Sequence, residues 1–209
     1  MNTDNWLWLA LSFNEGLGKV KDNRKWNYIG KDGKLLSPTW FDYCYDFREG
    51  FGKVELGGKS NYVDKEGKLL SATWFNSCHH FAEGFGAVML NGKMNYIGKD
   101  GKPLLGFWLD YCHDFNEGFA IVKLNGKENY IGKDGKYLSD VWFDDCSKFC
   151  DGFGCVVLNE KWNYIGNEGK LLSDVWFDYC SIFSEGLCHV RLDDKWFYVD
   201  KEGRLHEHR

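Results

Sequence analysis

The sequence predicts an all-β protein built from six tandem copies of a 34-residue β-meander. A Phe-x-x-Gly pattern recurs every 34 residues without an insertion, from Phe13 to Phe183. Each copy contains two tight-turn signals, such as Asn91-Gly92 and Asp100-Gly101, between short apolar runs, which is typical of antiparallel strands joined by hairpins. The composition of 18% aromatic residues, 25 Gly and only 2 Pro also favours strands and turns.

A tryptophan column sets the boundaries of the repeats. Its members are Trp6, Trp40, Trp74, Trp108, Trp142 and Trp176. The predicted units are 6–39, 40–73, 74–107, 108–141, 142–175 and 176–209, and we expect a single tandem-repeat domain over residues 1–209. Paired-helix repeats share this period, but the fixed glycines and the two turns leave no window long enough for two helices.

Alternation and turn chemistry predict the strands of one unit. In the second unit, residues 51–56 alternate between apolar and charged side chains, as in a half-buried strand. Gly57-Gly58 leads into a strand at 59–63, and Glu66-Gly67 leads into a third at 68–71. The first turns predict type I′ hairpins, because Asn, Asp and Gly tolerate left-handed dihedrals. They are Asn23-Arg24, Gly57-Gly58, Asn91-Gly92, Asn125-Gly126, Asn159-Glu160 and Asp193-Asp194.

The segment 40–47 fits two local structures. Trp40, Cys44 and Phe47 have the spacing of one face of a short helix. The flanking β pattern favours a strand or an irregular extended segment instead, and this is our prediction.

One such unit cannot bury its aromatic face alone, so neighbouring units must cover it. The outer units depart from the pattern, with Trp8 and Ala10 in the first unit and Phe197 and the segment 204–209 in the last. Units that face solvent on one side are often atypical, so we expect an open, solenoid-like stack. A closed six-bladed propeller-like ring is the alternative, because six whole units also fit that architecture.

The pattern Phe-x-Glu-Gly-[Leu/Phe]-[Gly/Ala]-x-Val at 13–20, followed by Lys-Trp-Asn-Tyr-Ile-Gly-Lys-x-Gly-Lys at 25–34, is seen again around Phe47, Phe81, Phe115, Phe149 and Phe183. This pattern resembles the WG (Trp-Gly) repeat of bacterial proteins, over essentially the whole chain. The Trp of the repeat survives only at Trp26, Trp162 and Trp196, and its Gly is replaced by asparagine, which indicates a divergent branch. The resemblance implies a β-repeat scaffold and brings no catalytic residues. The asparagines are Asn27, Asn61, Asn95, Asn129 and Asn163.

Charge and apolar patterning limit the partners. The net charge is -5 with both signs scattered, so we do not expect binding to nucleic acid. The longest apolar run, 6–11, is far too short to span a bilayer. No Lys or Arg precedes it and no cleavage site is evident, so we interpret it as part of the repeat rather than as a signal peptide. Together with the cysteines described next, this predicts a cytoplasmic location.

The eight cysteines are interpreted as free thiols. No Cys-x-x-Cys pair is present, so the usual spacing of a structural zinc site is missing, and we predict neither a metal nor a cofactor. Metal binding through Cys78, His79 and His80, or through Cys112 and His113, is a weaker alternative, because adjacent strand residues point to opposite faces. We expect buried thiols in a reducing compartment. Five form one column: Cys44, Cys78, Cys112, Cys146 and Cys180.

Two polar columns are interpreted as structural. The acids before the turn glycines are explained by the turns that they cap, and the asparagines either form an amide ladder between strands or satisfy the backbone of a turn. The acidic column comprises Glu15, Glu49, Glu83, Glu117, Asp151 and Glu185.

The sequence contains no phosphate-binding loop or nucleophile elbow, and we predict that the protein is not an enzyme. The position before the asparagines varies in residue type, which predicts that it faces solvent, and exposed Trp can anchor a protein or stack on a sugar. We therefore predict a scaffold for protein–protein interactions, with Trp26, Trp162 and Trp196 as candidate binding residues. Carbohydrate or cell-envelope binding through these Trp residues is the alternative function, and an enzyme of unknown class is a further one. The three Trp residues could also be incidental surface aromatics without a binding role. The position is occupied by Trp26, Ser60, Met94, Glu128, Trp162 and Trp196.

Overall fold

The computed structural model describes residues 13–207, and all regular elements in this range are β-strands. The chain divides into two compact units, residues 1–108 and 109–209, which are described separately. From here on, "unit" means one of these two parts, and each 34-residue copy is called a repeat. A single domain over 1–209 stays a prediction. The expectations for Trp6, Trp8, Ala10 and the segment 6–11 concern residues outside the described range.

The first unit contains three antiparallel sheets whose strands pair in chain order. The first sheet consists of β1 (Phe13–Asn14), β2 (Leu17–Asp22) and β3 (Lys25–Gly30). The second consists of β4 (Tyr43–Arg48), β5 (Phe51–Leu56) and β6 (Lys59–Val63). The third consists of β7 (Ser77–Ala82), β8 (Phe85–Leu90) and β9 (Lys93–Gly98).

The second unit continues the same pattern. The fourth sheet consists of β10 (Tyr111–Cys112), β11 (Phe119–Leu124) and β12 (Lys127–Gly132). The fifth consists of β13 (Asp145–Cys146), β14 (Phe153–Leu158) and β15 (Lys161–Gly166). The sixth has four strands, β16 (Tyr179–Cys180), β17 (Leu187–Leu192), β18 (Lys195–Asp200) and β19 (Leu205–Glu207). The predicted all-β class with tandem antiparallel meanders is confirmed.

In the first five sheets, the third strand of the meander is not the predicted one. The segment 68–71 makes only an isolated bridge between Val63 and Leu69, and the third strand is β4, in the segment 40–47 that fitted two structures. The expectation of an extended segment there is correct. Asn61 explains the lost strand, because its Nδ2 donates to the carbonyls of Ser71 at 2.8 Å and Thr73 at 3.2 Å. These bonds hold the segment as an irregular loop.

All five buried asparagines of the column act in this way within their own repeat. Asn129 Nδ2 donates to the carbonyls of Ser139 and Val141, and its Oδ1 accepts from Tyr130 N at 2.7 Å. The prediction that these asparagines satisfy backbone groups outside the strands is therefore correct, and the predicted ladder of side-chain amides between strands is wrong. Phe197 replaces the asparagine in the sixth sheet, where β19 pairs with β18 at this position.

Type I′ geometry is confirmed at all six first turns, where both central residues have positive φ. Three of these turns place a residue other than glycine at the second position, namely Arg24, Glu160 and Asp194. A side chain with a Cβ is strained in this region of φ.

We expect Glu160→Gly to stabilise the protein by roughly 0.5 kcal/mol, because glycine relieves the left-handed strain at φ 64° and loses only part of that gain to chain entropy. Urea unfolding followed by circular dichroism measures the change. The matched control is Gly126→Glu at the equivalent turn, which should shift stability in the opposite direction. Equal stability of both variants would contradict the strain argument.

Within each unit, tyrosines of one column join successive sheets. Tyr130 Oη donates to Ser147 O at 2.6 Å, just after β13, and to Cys155 O at 3.1 Å in β14. The first acceptor lies beyond the last ladder pair of β13, which joins Cys146 to Val156. In the first unit, Tyr62 reaches His79 O at 2.6 Å, inside the bulge between Cys78 and Phe81.

Aromatic rings pack at the same junctions. Tyr130 lies edge-on to Phe149 at 4.9 Å, and Phe119 stacks on Phe149 at 4.7 Å. Ring contacts of this kind add to area burial. The tyrosine and phenylalanine columns therefore form the core between successive sheets of one unit.

The acidic column also links neighbouring repeats. Glu15 Oε2 accepts from Gly50 N at 2.9 Å and pairs with Lys65 Nζ at 3.1 Å, and Glu49 does the same with Gly84 and Lys99. The expectation that each acid caps its own turn is wrong for these residues, because the side chain reaches the equivalent turn 35 residues later.

A further set of aspartates caps the first turns. Asp144 Oδ2 accepts from Asn159 N at 2.7 Å, and its carboxylate pairs with Lys127 of the preceding sheet. Asp178 repeats the arrangement with Lys161. These lysines lower the pKa of both carboxyl groups.

We expect stability to fall in acid because of these carboxylates. A carboxyl group whose pKa is lowered in the folded state stabilises it above its ordinary pKa of 3.8 and loses that effect as the pH falls below it. Unfolding free energy should be flat from about pH 7 to 5 and drop below about pH 4. Asp144→Asn with Asp178→Asn should weaken this dependence while keeping the cap, as Asn76 already does for Asn91 N. An unchanged pH profile in the double variant would contradict this explanation.

Candidate functional site

The three predicted binding residues have different exposures. Trp196 is 47% exposed, whereas Trp26 and Trp162 are half-buried. The prediction that the whole column faces solvent is wrong for Ser60, Met94 and Glu128, which are buried. The backbones of Ser60 and Glu128 are bridged by the segment that enters the next sheet, at Phe75 and Phe143. Trp26 and Trp162 make the same backbone bridge, so this pairing alone does not set the exposure of the side chain.

In the second unit, Trp162, Tyr179 and Trp196 lie side by side, and we call them the aromatic row. Tyr179 is in ring contact with Trp162 at 5.9 Å and with Trp196 at 5.7 Å, with interplanar angles of 49° and 70°. Strand pairing sets Arg191 directly opposite both Tyr179 and Trp196. The row therefore offers two exposed aromatic side chains, a half-buried third ring and a guanidinium on one surface.

The first unit contains an equivalent group of rings. Trp26 contacts Tyr43 at 5.4 Å, and Tyr43 contacts Tyr45 at 4.7 Å. Lys21 Nζ lies 5.1 Å from the Trp26 ring centroid, and Lys53 Nζ lies 4.1 Å from that of Tyr45. Cations over ring faces are stabilising, so both units combine aromatic rings with basic side chains.

Tyr45 is held in a polar setting within this group. Its hydroxyl donates to Glu55 Oε1 at 2.9 Å, and Lys53 Nζ lies 3.4 Å from the same carboxylate oxygen. Partial burial and the Glu55 charge raise the pKa of Tyr45 to about 12. The hydroxyl therefore stays protonated and acts as a donor, which fixes the ring.

Sequence reasoning missed Tyr43 and Tyr179, which are 40% and 42% exposed. A signal was present, since their column changes residue type as the Trp position does. Its members among the described residues are Tyr43, Ser77, Tyr111, Asp145 and Tyr179.

A cleft of about 670 Å³ adjoins the aromatic row. It is lined by His189, Lys195, Trp196, Phe197 and Glu207. The cleft thus combines an indole with groups of both charge signs, a lining that can take either a peptide or a sugar.

A second exposed surface in the same unit consists of apolar side chains, and we call it the apolar strip. Its members are Tyr137 and Val141, 37% and 46% exposed, and the residues at the equivalent positions of the next repeat, Leu171 and Val175, 41% and 43% exposed.

The thiols lie away from these surfaces. All eight cysteines are free, and the five of the column are buried, as predicted. Burial raises the pKa of Cys44 and of Cys78 to about 12, so these thiols stay protonated and are poor nucleophiles. Within residues 13–207, no group of three or more His, Cys, Asp or Glu side chains could hold a metal ion. The same range contains no helix long and apolar enough to cross a membrane.

A family model described as WG containing repeat matches residues 28–59, 62–93, 96–127 and 164–196, together more than half of the chain. No curated protein matches the sequence.

Solved structures show distant similarity. Hsv2 from Kluyveromyces lactis is 10% identical, with 91% of this chain and 73% of that chain covered and a TM-score of 0.43. A eukaryotic initiation factor is 12% identical, with 90% and 61% covered and a TM-score of 0.49. A protein of unknown function from Bacteroides caccae is 11% identical, with 90% of both chains covered and a TM-score of 0.30.

Proposed function

Because the chain belongs to the WG-containing repeat family, we propose that it is a non-enzymatic repeat module that binds a protein partner through the aromatic row. Arrays of repeats present extended surfaces with varied side chains. We also propose a cytoplasmic location. It is supported by the eight cysteines, which are all free thiols, because thiols stay reduced in the cytosol.

The observation that carries the proposal is the arrangement of Trp162, Tyr179, Arg191 and Trp196. Trp, Tyr and Arg are the residue types that most often dominate the binding energy of protein interfaces. The rings are inclined to one another at 49° and 70°, so they form ridges and notches that can receive side chains.

Selection from a random-peptide phage library tests this proposal. Peptides enriched on the protein should bind the variant Tyr179→Ser with Trp196→Ser at least tenfold more weakly, because truncating an interface anchor costs about 2 kcal/mol. Both positions are more than 40% exposed, so the fold should be retained. The control is Tyr137→Ser, an exposed tyrosine outside the row, which should leave binding unchanged. Equal binding to all variants would overturn the assignment of the row.

Carbohydrate binding is the second candidate, and the cleft beside Trp196 favours it. His189, Lys195 and Glu207 supply donors and acceptors around an exposed indole, and sugars bind by stacking on such rings with polar groups nearby. A panel of polysaccharides and cell-wall fragments is titrated while tryptophan fluorescence is followed. A saturable change that Trp196→Ser abolishes would replace the protein partner with a glycan. No response in the panel, together with row-dependent peptides, would support the protein partner.

A further inference from the structure

The sixth sheet exposes the face that other sheets of its unit bury against the next repeat. Leu187 on this face is 43% exposed, and Tyr198 is half-buried. The five equivalent tyrosines of the column, Tyr28, Tyr62, Tyr96, Tyr130 and Tyr164, are each 1% exposed.

An exposed apolar side chain lies beside this face. Ile182 is 65% exposed, and the equivalent positions in the other described repeats hold Asp46, His80, Asp114 and Lys148. An isoleucine with this exposure gains from being covered. Leu187, Tyr198, Ile182 and the acid Glu185 are called the tail face below.

The contact between two successive repeats is called a junction below. The first sheet presents the half of a junction that is opposite to the one on the sixth sheet. Phe13 is 38% exposed, whereas its equivalents Phe47, Phe81, Phe115, Phe149 and Phe183 are 2–4% exposed. In the interior junctions this ring lies edge-on to the tyrosine of the preceding repeat, as Phe149 does to Tyr130. Phe13, the turn amide of Gly16 and Lys31 are called the head face.

The polar groups of the two faces also match. In interior junctions an acid accepts from the turn glycine and pairs with a lysine of the following sheet, as Glu15 does with Gly50 and Lys65. Glu185 occupies the position of that acid on the tail face, and Gly16 and Lys31 occupy the positions of its two partners on the head face. The two faces therefore carry complementary halves of a junction that the chain already forms.

We propose that the tail face of one molecule binds the head face of a second copy of this chain, in the geometry of an interior junction. The contact would continue the one that successive repeats of the chain already make with each other, and it does not depend on the partner of the aromatic row. Because the two faces differ, the contact is heterologous, and each added molecule presents a new tail face.

Blocked variants test this directly. Ile182→Lys with Leu187→Lys blocks the tail, and Phe13→Lys blocks the head; all three positions are at least 38% exposed. Sedimentation velocity over a range of protein concentration should show the unmodified chain growing beyond its 24.3 kDa monomer. Each blocked variant alone should stay monomeric.

An equimolar mixture of the tail-blocked and head-blocked variants should form a species of two chains and nothing larger, since one free head and one free tail remain. The matched control Leu171→Lys changes a leucine of the apolar strip with 41% exposure and should associate as the unmodified chain does. A monomeric unmodified chain at all concentrations, or association that persists in each blocked variant, would overturn the proposal. Peptide binding to the aromatic row would survive either result.

Discussion

Gly67→Ala is expected to destabilise the first unit by about 3 kcal/mol, from left-handed strain and overpacking together. Gly67 has φ 79°, where a residue with a Cβ is strained. A Cβ at this position would also lie 2.1 Å from Leu36 O, a backbone atom of the preceding repeat. Relief requires the second turn to move away from its neighbour, so the junction between two sheets opens.

The matched control is Gly50→Ala in the same unit. Its φ is 89°, and no atom lies within 4 Å of the added Cβ, so only the dihedral strain of about 1 kcal/mol applies. Urea unfolding of both variants measures the difference. Equal losses would mean that the contact with Leu36 can relax without cost, and that this junction is looser than the distances indicate.

Local chemistry was predictable from the sequence. The two central residues of each first turn, such as Asn91-Gly92, specify positive φ by their own steric preferences, and the structure confirms this at all six turns. Burial of the column cysteines was also predictable, because a small apolar thiol suits a position between aromatic rings.

Contacts between repeats were not predictable, because the repetition itself hides them. Glu15 could cap its own Gly16 or the equivalent Gly50, since each copy carries nearly the same residues at each position. The offset of one sheet from the next determines which glycine amide Glu15 binds, and in the structure it binds Gly50 N. The strand after the second turn was misassigned for a related reason, because no local preference reveals that Asn61 binds the carbonyls of Ser71 and Thr73.

The exposure of the candidate column was predicted in part. Variation of residue type correctly predicted that Trp196 is exposed, but the same criterion failed at Met94, which is fully buried. The column therefore does not keep one environment along the chain, although Ser60 and Trp162 make the same backbone bridge to the segment that follows. Tyr179 joins the row through a ring contact across two sheets, which a linear pattern does not display.

Asn129→Ala is expected to cost about 3 kcal/mol or more, because buried polar groups that lose their partners cost about 1–3 kcal/mol each. The change leaves the carbonyls of Ser139 and Val141 and the amide of Tyr130 without the side chain that binds them. Asn116→Ala is the control in the same unit, since it removes a single bond to Phe149 O and should cost about 1 kcal/mol. Urea unfolding measures both.

Asn129→Phe should be no better tolerated than Asn129→Ala, although the chain carries a phenylalanine at the equivalent Phe197. In the sixth sheet, β19 pairs with β18 through Phe197 and Glu207, so backbone bonds replace the amide. The fourth sheet has no such strand among the described residues, and its loop depends on Asn129. Tolerance of phenylalanine at 129 would show that the loop carbonyls find other partners, and the asparagine column would then be a consequence of the loop rather than its cause.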